Sequence, residues 1–318
     1  MHIMKQSDQA IGAVITDFDI KNPSALERIK ELLYSNKVVV LKQQELSEQD
    51  FCDFSYVLGT PIPYLQENYH HPRFPLIFVS SNIKMDGQQI GVARTGRYWH
   101  SDTSFYVDPV PLTMLYPRVI PQNSRRTTMF IDMQKAYEAM PLQMQQRLAS
   151  MQFIHSGKWR YKVRKEDAGY DLHEILQQIH TIQPPVVHPA VITHPVTGGK
   201  VLYGSSGFTV GIEGMGTDEA NAFLAEVFSF CEQPRFITEF QWALGDVIIW
   251  DNRFLSHKAG IRADSNGSPN GSPAAEEDTL VYRITIQDGF ALSALPGHSP
   301  GYRKPSTAIR EANSQVLT

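Results

Sequence analysis

Two short stretches of this chain carry the residue types that bind a divalent metal. The first is Gly96-Arg97-Tyr98-Trp99-His100-Ser101-Asp102-Thr103-Ser104-Phe105. A histidine and an aspartate two apart on an extended segment project to the same face. There a neutral imidazole and a carboxylate can meet one cation. The spacing alone equally fits a buried histidine hydrogen-bonded to a nearby carboxylate. The second stretch runs from Gly245-Asp246-Val247-Ile248-Ile249-Trp250 through Asp251-Asn252-Arg253 to His257: an apolar strand, a polar turn, then a histidine. Asp251 and Asn252 suit the turn that delivers His257, because short Asx side chains bond back onto local backbone. Two histidines and one carboxylate on one face of an iron leave three positions open, as in non-haem Fe(II) oxygenases. The same groups around a metal-bound water would make a zinc hydrolase. A non-catalytic binding protein on the same scaffold is a third reading. Cys52 and Cys231 lie far from both stretches in sequence, which points away from a closed structural zinc site.

The elements that must position these residues are mostly strands. Residues 11–15 and 37–41 read as strands around a helix over 24–33, with Ser24 as its N-cap. A further helix starts at Ser47, where S-E-Q-D has the form of a capping box. Short β-rich runs follow at 76–79, 112–116, 128–131, 186–192, 200–203, 246–250 and 280–286, interrupted by helical patterns at 134–149, 166–180 and 217–231. Irregularly spaced strands with long inserts predict a mainly β fold with peripheral helices, a decorated sandwich or barrel, and not a doubly wound parallel sheet. Residues 262–278, RADSNGSPNGSPAAEED, hold no large apolar side chain and read as a disordered insertion. They mark no boundary, since strand-like sequence resumes at once, and 1–318 reads as one domain.

The 318 residues carry a net charge of −4, so the basic footprint of a nucleic-acid binder is missing. The longest apolar runs fall far short of the roughly 20 residues that span a bilayer. The start, MHIMKQSDQA, has no apolar core of a secretion signal. Two isolated cysteines fit a reducing compartment. The expectation is a cytoplasmic protein acting on a small molecule, with neither nucleic acid nor membrane as partner. Oligomeric state is not legible at this level.

Together, YWHSDTSF, WDNRFLSHKA and YRITIQDG, with Thr127 and the THPVTG stretch at 193–198, closely resemble the TauD/TfdA family of Fe(II)/2-oxoglutarate dioxygenases. The resemblance implies a double-stranded β-helix, the cupin-like jelly roll. It implies His100, Asp102 and His257 as iron ligands, with 2-oxoglutarate and O2 as cosubstrates. It also implies Arg283, with Thr127, on the distal carboxylate of 2-oxoglutarate, where a planar guanidinium fork can grip both oxygens. In the family this arginine stands closer to the second histidine. The 262–278 segment accounts for the difference, and Arg262 at its start is the weaker alternative. Halogenating relatives replace the ligand aspartate with a small residue, so Asp102 points to oxidation of a C–H or N–H bond without halide.

A narrower resemblance covers SSNIKMDGQQIGVARTGRYWHSD, YLQENYHHP at 64–72 and WRYKVR at 159–164. These look like the branch that makes isonitriles from N-carboxymethyl β-amino acids. The likeness implies that Lys162, Arg164, Tyr64 and Tyr69 hold the carboxylates of a small anionic substrate. His70 is a further candidate in the same loop. Lys162 and Arg164 would point the same way on a strand; a solvated charged edge is the alternative. Leu65 and Ile261 stand where that branch has hydrogen-bonding residues, which implies a more apolar pocket and a different amino-acid-derived substrate. Hydroxylation or desaturation of another small carboxylate is the alternative reaction.

Overall fold

Alternation along the strands Val247–Asp251, Leu112–Val119 and Leu280–Gln287 makes a sheet with two unlike faces. In a computed structural model, which describes residues 1–5, 11–85, 87–121, 124–163, 167–263, 278–290 and 292, these three lie side by side in an eight-stranded sheet. Its order is His2–Lys5, Ala13–Thr16, Val38–Leu41, Val247–Asp251, Leu112–Val119, Leu280–Gln287, Thr60–Ile62, with Phe78–Ser81 also paired to Leu280–Gln287. On one face, the row Ile249, Met114, Ile284 packs beneath the helices Pro23–Asn36 and Glu48–Leu58, meeting Ile29, Leu33, Phe51 and Phe54. Fully burying each such side chain contributes roughly 1.5–3 kcal/mol. On the other face lie the rows Ile248, Leu115, Arg283 and Trp250, Thr113, Thr285. That face looks toward a smaller sheet ordered Ile237–Gln241, Ser124–Asp132, Leu255–Ala263. Phe130, Phe240 and Trp250 fill part of the space between them. The expected mainly β jelly roll with peripheral helices is therefore the fold.

The chain crosses from the large sheet to the small one at Asn252-Arg253-Phe254, and this turn is braced by buried charges. Arg253 donates to Asp251 at 2.6 Å and to Asp288, beyond the last strand, at 2.6 Å. His194, in the THPVTG stretch, accepts backbone N–H groups of Val196 and Thr197 at Nδ1. Its Nε2 therefore carries the proton and donates to Asp251 at 3.0 Å. Buried charges persist only when paired in this way.

Several elements differ from those expected. Asn22, not Ser24, caps the first helix, because Pro23 takes the first helical position, where its missing N–H costs nothing. The Ser47–Asp50 capping box forms as read. The pattern over 134–149 divides into Met133–Glu138 and Leu142–Ala149 at Pro141. The run at 186–192 becomes two strands, Val186–Pro189 and Val191–Thr193, which join different sheets. Asp102 is not on an extended segment: it opens a turn in which Thr103 has φ of 56°. Of the expected insertion, residues 264–277 lie outside the described residues. Among the described residues, no helix is long and apolar enough to cross a membrane.

Candidate metal centre and its two chambers

His257 lies two residues into strand Leu255–Ala263, and His100 faces it in an isolated antiparallel bridge. The two residues exchange backbone bonds, His100 N–H to His257 O at 2.9 Å and His257 N–H to His100 O at 2.7 Å. Directly opposed residues project to one face, and the ring centroids are 4.2 Å apart. The turn after His100 brings Asp102 back over both rings. Its Oδ1 is 3.7 Å from His100 Nε2 and its Oδ2 is 3.7 Å from His257 Nε2. Candidate ligand atoms of the three residues lie within 4.8 Å of one another, and all three residues are buried.

The protonation states suit a cation. His100 Nδ1 bonds the Tyr98 carbonyl at 2.8 Å, so it carries the proton and leaves Nε2 with a free lone pair. Burial holds the imidazoles of His100 and His257 below the usual histidine range, His257 the further because His100 adjoins it. Burial alone would raise the Asp102 carboxyl. The Arg283 guanidinium, both imidazoles and the Thr113 hydroxyl outweigh it and hold the pKa down at about 2. Two neutral imidazoles and one carboxylate fit a facial Fe(II) site.

Two chambers meet at this centre, of about 920 and 700 Å³ including their open mouths. His100 and Arg283 line both. The larger also holds His257, Arg126, Thr128 and Trp242. The smaller holds Asp102, Tyr64, Tyr69, Arg160, Lys162 and Gln183, among others.

Arg283 reaches the centre from Leu280–Gln287, and its NH1 donates to Asp102 Oδ1 at 2.6 Å. Its guanidinium lies 3.9 Å from the Phe78 ring centroid, and its Nε is buried with no hydrogen-bond partner among the described residues. Thr127 does not reach either chamber. In the pairing of Ser124–Asp132 with Leu255–Ala263, Phe130 opposes His257, Thr128 opposes Ala259 and Arg126 opposes Ile261. Arg126, Thr128 and Phe130 therefore share the face of His257, and Thr127 points the other way, donating to Glu239 at 2.7 Å. The inward threonine is Thr128, whose hydroxyl accepts from Trp242 Nε1 at 2.9 Å and keeps its own proton for a ligand. Strand alternation back from Phe130 was the signal that could have found Thr128 and Arg126.

The predicted substrate residues divide. Tyr64 and Tyr69 line the smaller chamber, their rings edge to face at 5.1 Å. Burial raises the phenol of Tyr64 to about 12, so both its faces and its hydroxyl act as a neutral group. Lys162 lines the same chamber with an exposed ammonium that donates to the Arg94 carbonyl at 3.4 Å. It follows a 3-10 turn, Lys158–Arg160, and not a strand. Arg164 lies outside the described residues. Arg160, within the WRYKVR stretch but given no role there, lines the chamber with its guanidinium 4.2 Å above the Tyr98 ring. His70 lines neither chamber; its Nε2 donates to the Tyr64 carbonyl at 2.7 Å and so braces the tyrosine loop. Leu65 is 55% exposed and also lines neither chamber, so its apolar character does not alter the pocket. Only the backbone of Ile261 is described.

Comparison with known proteins agrees with this geometry. Residues 4–267 match the family model described as taurine catabolism dioxygenase TauD, TfdA family. The alpha-ketoglutarate-dependent 2,4-dichlorophenoxyacetate dioxygenase of Cupriavidus pinatubonensis is 27% identical over 267 residues, 80% of this chain and 90% of that protein. A crystal structure of a taurine dioxygenase from Burkholderia xenovorans superposes with a TM-score of 0.71 at 23% identity, over 100% of this chain and 99% of that one. A crystal structure of AAD-2 with Mn(II) and N-oxalylglycine gives 0.68 at 22% identity, over 92% and 98%.

Proposed function

Because the chain belongs to the TauD/TfdA family and is a 2-oxoglutarate-dependent dioxygenase using Fe(II) and O2, we propose how its own residues divide that chemistry. His100, Asp102 and His257 hold the iron. The larger chamber takes 2-oxoglutarate, with Arg126 and the Trp242-oriented hydroxyl of Thr128 at the carboxylate far from the metal. Arg283, expected at that distal carboxylate, stands instead at the join of the chambers, where it keeps Asp102 ionised and offers its remaining donors to a carboxylate beside the metal. Bound iron and 2-oxoglutarate supply O2 activation, with succinate and CO2 as the coproducts. Phe78, Phe105 and Phe208 wall the smaller chamber and keep water from the oxidised bond.

The substrate is a small anionic amino-acid derivative, for which an N-carboxymethyl β-amino acid converted to an isonitrile is the leading candidate. The observation that carries this is the smaller chamber itself. Arg160 and Lys162 put cations, and Tyr64 and Tyr69 put phenols, on walls shared with His100 and Asp102. Hydroxylation or desaturation of another small carboxylate uses the same residues. Two buried free cysteines, Cys52 and Cys231, support a place in the reducing cytoplasm.

Incubating the Fe(II) enzyme with 2-oxoglutarate and N-carboxymethyl β-amino acids of increasing chain length tests the substrate. An isonitrile with stoichiometric succinate is the expected result. Succinate without isonitrile across the whole series overturns the substrate and leaves the dioxygenase intact.

A further inference from the structure

The carboxylate of Asp102 is held by a hydrogen-bond chain whose direction can be worked out atom by atom. Asn252 Oδ1 lies 2.9 Å from Trp250 Nε1 and 3.3 Å from the Asp102 backbone nitrogen. Both of those groups can only donate, so this atom of Asn252 must be the oxygen. Its Nδ2 then donates to Thr113 Oγ1 at 2.8 Å and to the Val110 carbonyl at 3.4 Å. The Thr113 hydroxyl accepts that bond and has a single proton left, which goes to Asp102 Oδ2 at 2.8 Å. All hydrogen-bonding capacity of the Asn252 amide is used, and Asn252 and Thr113 are fully or almost fully buried. The same amide anchors Trp250, whose ring lies 4.8 Å from that of His257. One side chain therefore sets the backbone of Asp102, one of its carboxylate oxygens, and a wall of His257.

We propose that Asn252 and Thr113 are positioning residues that orient the Asp102 carboxylate for the metal. Neither is itself one of the three ligands. They act by holding Oδ2 on one side while Arg283 holds Oδ1 on the other, so that the carboxylate cannot swing about its Cβ–Cγ bond. Hydrogen-bonded partners of metal ligands of this kind typically contribute about 10–100-fold in metal affinity. This goes beyond shaping the turn that delivers His257, and it rests on Asp102 being a ligand.

The test is metal binding without turnover. Mn(II) is titrated into the metal-free protein and free ion is read by its magnetic resonance; Co(II) spectra report the ligand field. Thr113→Val keeps shape and removes both hydrogen bonds. It is expected to weaken Mn(II) about 10–100-fold and to shift the Co(II) bands. Thr113→Ser restores the hydroxyl and is expected to return binding to within a few-fold. Asn252→Asp is the second variant, should Thr113→Val fold poorly: an aspartate there draws the Thr113 proton away from Asp102, and Mn(II) binding again falls. A merely structural role would lower the melting temperature while leaving affinity and Co(II) bands in place, and that result overturns the proposal. Asp102→Ala separates the two readings. If it binds Mn(II) like the unaltered protein, the ligand assignment fails. If it loses the metal while Thr113→Val and Asn252→Asp keep it, only the positioning fails.

Discussion

The two chambers share His100 and Arg283 yet are built from different parts of the chain. In the larger one, Arg126 and Thr128 stand on a paired strand whose register with Leu255–Ala263 extends over nine residues, from Leu255 opposite Asp132 to Ala263 opposite Ser124. Their directions follow from alternation and cannot change without breaking the ladder. In the smaller one, Tyr64, Gln66, Arg160 and Lys162 stand on irregular segments or single 3-10 turns, and Gln183 caps the helix Leu172–Ile182. In the proposed division, what is common to the reaction sits on the rigid frame, and what selects a substrate sits where the backbone can vary cheaply. The candidate metal centre joins the two, because its histidines belong to the strand side and its aspartate to a turn.

The largest effect should come from the join. His100→Ala or His257→Ala removes one of three ligands, and iron-dependent succinate formation should fall to background in a coupled assay. Full activity in either variant breaks the ligand assignment and with it the shared wall of the chambers. A smaller effect should come from the frame. Arg126→Ala removes a charged donor to the cosubstrate, a loss of about 1.5–3 kcal/mol, which is roughly 10–100-fold in the KM for 2-oxoglutarate. Thr128→Val should raise that KM as well, whereas Thr127→Val, one residue away on the opposite face, should alter it little. Equal effects at 127 and 128 would show that the strand register does not govern the chamber.

That contrast also marks how far the chain could be read unaided. The grouping of His100, Asp102 and His257 was legible because metal-binding chemistry restricts residue types, and Val38–Leu41 because a β-branched run has few other uses. The Ser47–Asp50 capping box was legible because it is local. Thr127 was misplaced because position in a strand is decided by the partner strand, here Leu255–Ala263, which lies more than a hundred residues away in the chain. The strands Gln152–His155 and Thr209–Ile212 went unseen for the same reason: among the described residues they pair with each other and with Val186–Pro189, all distant in the chain. Asn252 was read as a turn residue, which it is. Its bond to Thr113 joins residues 139 positions apart, and no spacing rule reaches that far.

The smallest expected effect tests the loop side of the comparison. Lys162 is half-buried, its ammonium reaches the Arg94 carbonyl only at a long 3.4 Å, and water screens its charge. Arg160 is different: its Nε is anchored on the Gly207 carbonyl at 3.3 Å and its plane is stacked on Tyr98, so less freedom is lost when it grips a carboxylate. Lys162→Ala should therefore raise the KM for an N-carboxymethyl β-amino acid by less than about fivefold, and Arg160→Ala by more. Both should act on that KM more than on the KM for 2-oxoglutarate, since neither residue lines the larger chamber. If Lys162→Ala moves the two constants equally, the chambers do not divide the ligands between them. The substrate carboxylate must then be sought nearer Arg283, which among the described residues is the cation that faces both.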